Sequence, residues 1–128
     1  MWMEDGTKEY EEYREYFMEQ LYMDSLLADY PFEKETLYEI LELLVETVCS
    51  RRKTIRIAGD DKPAQIVKSR LMKLNGEHIR YVLACMKENT TKVRNIRQYL
   101  LAALYNAPAT ISNYYAALVN HDLYGGGG

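Results

Sequence analysis

Apolar positions recur at helical spacing along most of the chain. Over residues 7–29, Tyr13, Phe17 and Leu21 repeat every four residues and Leu26 and Leu27 follow, which predicts one amphipathic helix. Pro31 ends it, because the residue before a proline avoids the α region. A second helix is predicted over about 34–49, where Leu37, Ile40, Leu41, Leu44, Val45 and Val48 share one face. Glu35, Glu39, Glu42 and Glu46 form an acidic stripe opposite, read as a solvated face. The pattern then changes. Thr54 to Ile57 alternates and is β-branched, so it is extended or one arm of a short hairpin near 54–58. Gly59-Asp60-Asp61 reads as a turn, with Asp61 a helix N-cap and Pro63 in the first helical turn.

A third helix over about 62–74 places Val67, Leu71 and Leu74 inward, and Asn75-Gly76 breaks it. A fourth, about 77–88, buries Ile79, Val82, Leu83 and Met86. Asn89-Thr90-Thr91 is a polar break whose threonines can cap a fifth helix over about 92–106, with Val93, Ile96, Leu100, Leu104 and Ala107 on one face. Asn106-Ala107-Pro108 stops that helix, Thr110 caps a last one, and Tyr114 to Val119 supply its apolar content. The fold class expected is all-α: a compact bundle of about six helices with one irregular basic connector. Leu41, Leu44, Ile96 and Leu100, each central to its face, are the expected core.

Composition narrows the class. The chain has 128 residues, one domain's worth, and 48% of them are hydrophobic, enough to fold without staples. Four of the seven glycines are the terminal Gly125–Gly128 run, expected to be a flexible tail to a single domain over 1–124. No apolar stretch is long enough to span a membrane, and the acidic N-terminus does not suit a signal peptide. Two cysteines, Cys49 and Cys85, make no disulfide framework, so a reducing cytoplasm is the expected compartment.

Charge changes the picture more. Residues 1–46 carry 14 Asp/Glu against Lys8, Arg14 and Lys34, a net of −11. Residues 47–100 carry 13 Lys/Arg against Asp60, Asp61, Glu77 and Glu88, a net of +9. An acidic arm before a basic centre implies a polyanion-facing surface and a counter-surface that meets it within a protomer or between protomers of a homo-oligomer.

Catalytic patterns are sparse. There is no G-x-S-x-G, phosphate-binding glycine loop or H-E-x-x-H. Cys49, His78, Cys85 and His121 lack the paired short spacings of a structural zinc site, so no metal or other cofactor is expected and the chain does not read as an enzyme. The basic region is the informative part. Arg51, Arg52, Lys53 and Arg56 crowd the connector; Arg70 and Lys73 share a side of the third helix; Arg94, Gln98, Leu101 and Tyr105 form a stripe on the fifth. Cations bind phosphates and tyrosine can stack on unpaired bases, so Arg51, Arg52, Lys53, Arg56, Arg70, Lys73, Arg94 and Tyr105 are the candidate DNA-binding residues. The alternative is a solvated basic face that pairs with the acidic helices.

Several phrases carry a resemblance. They are Thr47-Val48-Cys49-Ser50-Arg51-Arg52-Lys53-Thr54-Ile55-Arg56-Ile57-Ala58-Gly59, Val67-Lys68-Ser69-Arg70, Asn89-Thr90-Thr91-Lys92-Val93-Arg94-Asn95-Ile96, and Tyr99 through Pro108. From about Leu21 to Tyr124 the chain resembles the C-terminal domain of RepA-type initiators (replication initiator protein A) of plasmids and integrative elements of Gram-positive bacteria. The resemblance implies a DnaD-like helical domain of a larger initiator, contacting DNA and host replication proteins such as a helicase loader or primase. The DnaD signature Tyr-x-x-x-Ile-x-x-Trp is matched here only at Tyr99, with Ala103 and Asn106 in the other two places. That departure counts against DnaD-type single-strand binding.

Overall fold

The computed structural model describes residues 4–88 and 95–124. Among them are six α-helices, one 3-10 turn and one β-hairpin: α1 Glu4–Gln20, α2 Met23–Asp29, the turn Pro31–Glu33, α3 Lys34–Cys49, β1 Thr54–Ile57, β2 Asp60–Pro63, α4 Ala64–Met72, α5 Gly76–Glu88 and α6 Ile96–Tyr124. The mostly helical architecture agrees with the sequence reading. The six helices, however, are not the six predicted.

The first predicted helix is two. Tyr22 adopts the left-handed conformation (φ 54°, ψ 54°) and separates α1 from α2. In one continuous helix Leu21 and Met23 would point about 200° apart. The break lets both be fully buried while Tyr22 is left 71% exposed. Gly76, at the start of α5, packs against this break: a Cβ there would lie 3.0 Å from the Leu21 carbonyl oxygen.

The last two predicted helices are one. α6 runs through Pro108, at the cost of the one hydrogen bond its nitrogen cannot donate to Leu104. Asn106 and Thr110, expected as a breaker and a cap, turn back onto the helix instead. Asn106 Nδ2 donates to the Ala102 carbonyl and Thr110 Oγ1 to the Asn106 carbonyl, both at 2.9 Å. The predicted threonine caps at Thr90 and Thr91 lie outside the described residues. Asn95 caps α6, its Oδ1 accepting from the Gln98 amide at 3.1 Å.

α3 is the central element, with Leu37, Ile40, Leu41, Leu44, Val45 and Val48 all buried as their spacing predicts. α1 packs antiparallel along it, Arg14 meeting Glu42 while Glu9 lies near Cys49. Tyr16 of α1 donates its hydroxyl to the Met72 carbonyl at 2.6 Å, joining α1 to the end of α4. Leu100, Leu104 and Ala107 of α6 close the core, but Ile96 does not join it and is 43% exposed. It occupies the first turn of α6, at the outer face of α3, where Arg97 beside it meets Glu46.

The extended segment is a complete hairpin, Thr54 opposite Pro63 and Ile57 opposite Asp60. Ala58 and Gly59 form the two-residue turn at φ 51° and 89°, the positive pair of a type I′ turn. Asp61 is therefore a strand residue and not a helix cap; α4 starts at Ala64, after Pro63. Ile55 and Ile57 are buried while Thr54 and Arg56 face solvent.

Candidate functional site

α3 ends where Ser50 turns extended (φ −62°, ψ 140°), and the chain leaves it as Arg51-Arg52-Lys53. Three contacts hold this connector. The Ser50 carbonyl accepts from Lys68 Nζ at 2.5 Å, Ser50 Oγ accepts from the Arg52 amide at 3.3 Å, and the Lys53 carbonyl accepts from the Ala64 amide at 2.9 Å. The result is a cleft of about 410 Å³ lined by Arg51, Arg52, Lys53 and Lys68, with Ala64 and Gln65 of the first turn of α4. That helix end has no side-chain cap, so the positive end of its dipole adds to the field of the four cations. Arg51, Arg52 and Lys53 are exposed, and among the described residues none has a carboxylate within ion-pair distance.

One acid, Glu9 of α1, lines the same cleft beside Cys49. Burial, then Glu9, push the Cys49 thiol up from its ordinary value, and Lys68 only partly opposes them. The thiol stays protonated at neutral pH, which is the wrong state for a nucleophile.

The predicted site residues thus separate into groups. Arg51, Arg52 and Lys53 are together, joined by Lys68, which the sequence reading did not single out. Arg56 stands apart on the outer face of the hairpin, opposite Asp61 in register and 3.6 Å from it. Arg70 is on the other side of α4, with its guanidinium carbon 4.0 Å from the centre of the Tyr105 ring. Lys73 is exposed just past α4. Arg94 lies outside the described residues. Tyr105 is not a free base-stacking surface: it is 6% exposed, and Arg70 occupies the ring, with Lys62 Nζ at 5.7 Å. Its ring lies on the flank of α6 that meets α4 and the hairpin, where Arg70 and Lys62 stand over it.

Apart from Glu9 at the cleft, acidic arm and basic centre meet within the protomer in ion pairs away from it. Arg80 of α5 pairs with Asp29 at 2.7 Å, Lys87 with Glu33 at 3.2 Å, and Arg97 with Glu46 at 2.5 Å. The Asp29 hydrogen bond raises the Arg80 pKa further above its ordinary value, and Arg80 also lies 5.5 Å from the Tyr30 ring. These pairs use cations of α5 and α6 and leave the connector unneutralised.

A larger groove, about 740 Å³, runs over the outer face of α3 between Glu35, Glu39, Glu42 and Glu46, with Tyr38 and Ile96 supplying apolar surface and Arg97 at its edge. Among the described residues no three His, Cys, Asp or Glu side chains gather as a cation site, and no helix is long and apolar enough to cross a membrane. His78 is committed to the start of α5. Asn75 Oδ1 accepts from the Glu77 and His78 amides at 3.0 and 3.3 Å, and His78 Nδ1 accepts from the Asn75 amide at 3.0 Å.

Comparison with known proteins adds one match. A family model described as "Family of unknown function (DUF6017)" matches residues 4–126. No curated protein and no solved structure matches the chain.

Proposed function

Given that the chain belongs to DUF6017, a family of unknown function, we propose its role from its surface and its sequence resemblance. It is a non-enzymatic domain of a plasmid or mobile-element replication initiator that contacts DNA phosphates and recruits host replication proteins, such as a helicase loader or primase. The observation that carries the DNA contact is the cleft: Arg51, Arg52, Lys53 and Lys68 converge on one concave surface beside an uncapped helix start. Cations so placed bind a phosphate backbone without reading its bases. The replication role rests on the resemblance of the connector and of Tyr99 through Pro108 to RepA-type initiators.

A titration of labelled single-stranded and duplex DNA at several salt concentrations tests this. Arg51→Gln/Arg52→Gln/Lys53→Gln should lower the salt slope by up to about 0.9 per lost contact on duplex, or about 0.7 on single strands. Wild-type affinity and slope in that variant would refute the contact.

The acidic groove favours a second reading, a protein-interaction or self-assembly module that never touches DNA. Glutamates around exposed Tyr38 and Ile96 suit a basic partner, and Phe32 is 97% exposed nearby in sequence. Under that reading Glu35→Lys/Glu39→Lys abolishes association in sedimentation runs, and the connector variant leaves DNA behaviour unchanged.

A further inference from the structure

Arg70 is held by an aromatic ring and by no acid among the described residues. Its guanidinium carbon sits 4.0 Å from the Tyr105 ring centre, a cation–π contact. That contact uses none of its hydrogen-bonding capacity toward an acceptor oxygen. Among the described residues Arg70 makes no side-chain hydrogen bond and no ion pair, so its N–H donors remain available to a ligand. A guanidinium held at a ring with its N–H donors unpaired can take a phosphate bidentately.

Lys62 supplies the second charge. In the hairpin register it stands opposite Ile55, on the face that is turned to the core, whereas Arg56 and Asp61 occupy the outer face. That register brings Lys62 Nζ to 5.7 Å from the same ring. It too has no carboxylate partner among the described residues. Two like charges stand 4.0 and 5.7 Å from the centre of one nearly buried ring, and an anion that met both would offset their repulsion.

This pair is separate from the cleft. Lys68 and Arg70 are two positions apart on α4, which places them about 200° apart around the helix. Lys68 faces Ser50 and the cleft; Arg70 faces Tyr105 on the opposite flank. Between them lies the exposed edge of α4, with Gln65, Ile66 and Ser69. A helix with its side chains is about 10 Å across, roughly three nucleotide rises of one strand.

We propose that Lys62 and Arg70, presented on Tyr105, form a second phosphate-binding site, and that this site and the cleft hold one nucleic-acid strand across α4. The bridging part rests on the DNA-contact reading above; the phosphate site itself does not.

Two arms test it on the full chain. In the first, salt titrations of DNA binding compare wild type with Lys62→Gln/Arg70→Gln. The double variant should lose up to about 0.7 to 0.9 of slope for each cation. Lys62→Gln alone, which leaves Arg70 on its ring, should lose half of that. Arg70→Lys should keep the slope and bind severalfold more weakly, since it keeps the charge and loses the fork. Tyr105→Phe should behave as wild type. In the second arm, inorganic phosphate is titrated while the Tyr105 ring resonances are followed by NMR. Saturable shifts should appear in wild type and in the Arg51/Arg52/Lys53 variant, and vanish in Lys62→Gln/Arg70→Gln.

A double variant with wild-type slope, beside a cleft variant with reduced slope, overturns the second site and leaves the DNA reading standing. Phosphate shifts at Tyr105 without any DNA binding keep the site and sink the DNA reading. Lost stability with unchanged slope and no phosphate shifts reduces Arg70 to a packing residue and overturns the proposal.

Discussion

The hairpin turn supplies a test free of packing effects. Ala58 and Gly59 both have positive φ, 51° and 89°, and a Cβ added at Gly59 would meet no atom within 4 Å. Ala58 is exposed, so its side chain contributes almost nothing beyond a Cβ in a left-handed backbone. For an L-residue other than Gly, Asn or Asp that conformation costs about 1–2 kcal/mol. Asn tolerates it, and Asn-Gly is the preferred pair for a type I′ turn. Ala58→Asn should therefore stabilise the protein by about 1 kcal/mol, and Gly59→Ala should destabilise it by about 1–2 kcal/mol. In a chain of 128 residues, 1 kcal/mol corresponds to a Tm shift of about 4 °C. Urea denaturation followed by circular dichroism, with thermal melts beside it, reads both values. No gain in Ala58→Asn, or a Gly59→Ala variant as stable as wild type, would mean the turn is not type I′. The hairpin register that places Lys62 on Tyr105 would then fall with it.

Two further outcomes follow from the core and from the start of α5. Leu41→Ala and Leu44→Ala should each cost about 2–5 kcal/mol in urea melts, while Ile96→Ala should cost under about 1 kcal/mol; equal losses at all three would place Ile96 in the core. Burial lowers the His78 pKa below 6.5, Glu77 opposing it only in part, and the neutral ring accepts the Asn75 amide. The unfolded chain then binds the proton more readily than the folded one. Stability contributed by His78 is complete above about 6.5 and lost as pH falls through the folded pKa. His78→Gln keeps an acceptor and has no charge to gain, so this part of the acid dependence should vanish in its denaturation curves; a variant with the wild-type pH profile would refute the assignment.

The sequence was most readable where burial is periodic and one-sided. Every residue assigned to the apolar face of α3 is buried, because a central helix has no alternative way to hide six aliphatic side chains. It misled where tertiary packing overrode a local signal. Nothing marks Tyr22 as a break, since neither Gly, Pro nor Asn stands there; the need to bury both Leu21 and Met23 decides it. Pro108 is a strong local stop and is overridden, so one helix too few at the start and one too many at the end left the total unchanged. The basic connector was legible as charge. Its completion by Lys68 was not, since that contact joins residues 18 apart through a backbone carbonyl. Lys62 was hidden for the same reason: only the hairpin register shows which way it points.

Pro108 has a mechanical consequence. In α6 the buried side chains end at Ala107; beyond it, those described are half-buried or exposed. Residues 108–124 continue the helix for about 25 Å at 1.5 Å per residue. Among the described residues the last fully buried side chain of α6 thus stands next to the position where one rung of the hydrogen-bond ladder is missing. Bending is easiest there. A tilt of about ten degrees at that point sweeps the far end by roughly 4 Å while the core, the cleft and the Tyr105 platform stay in place.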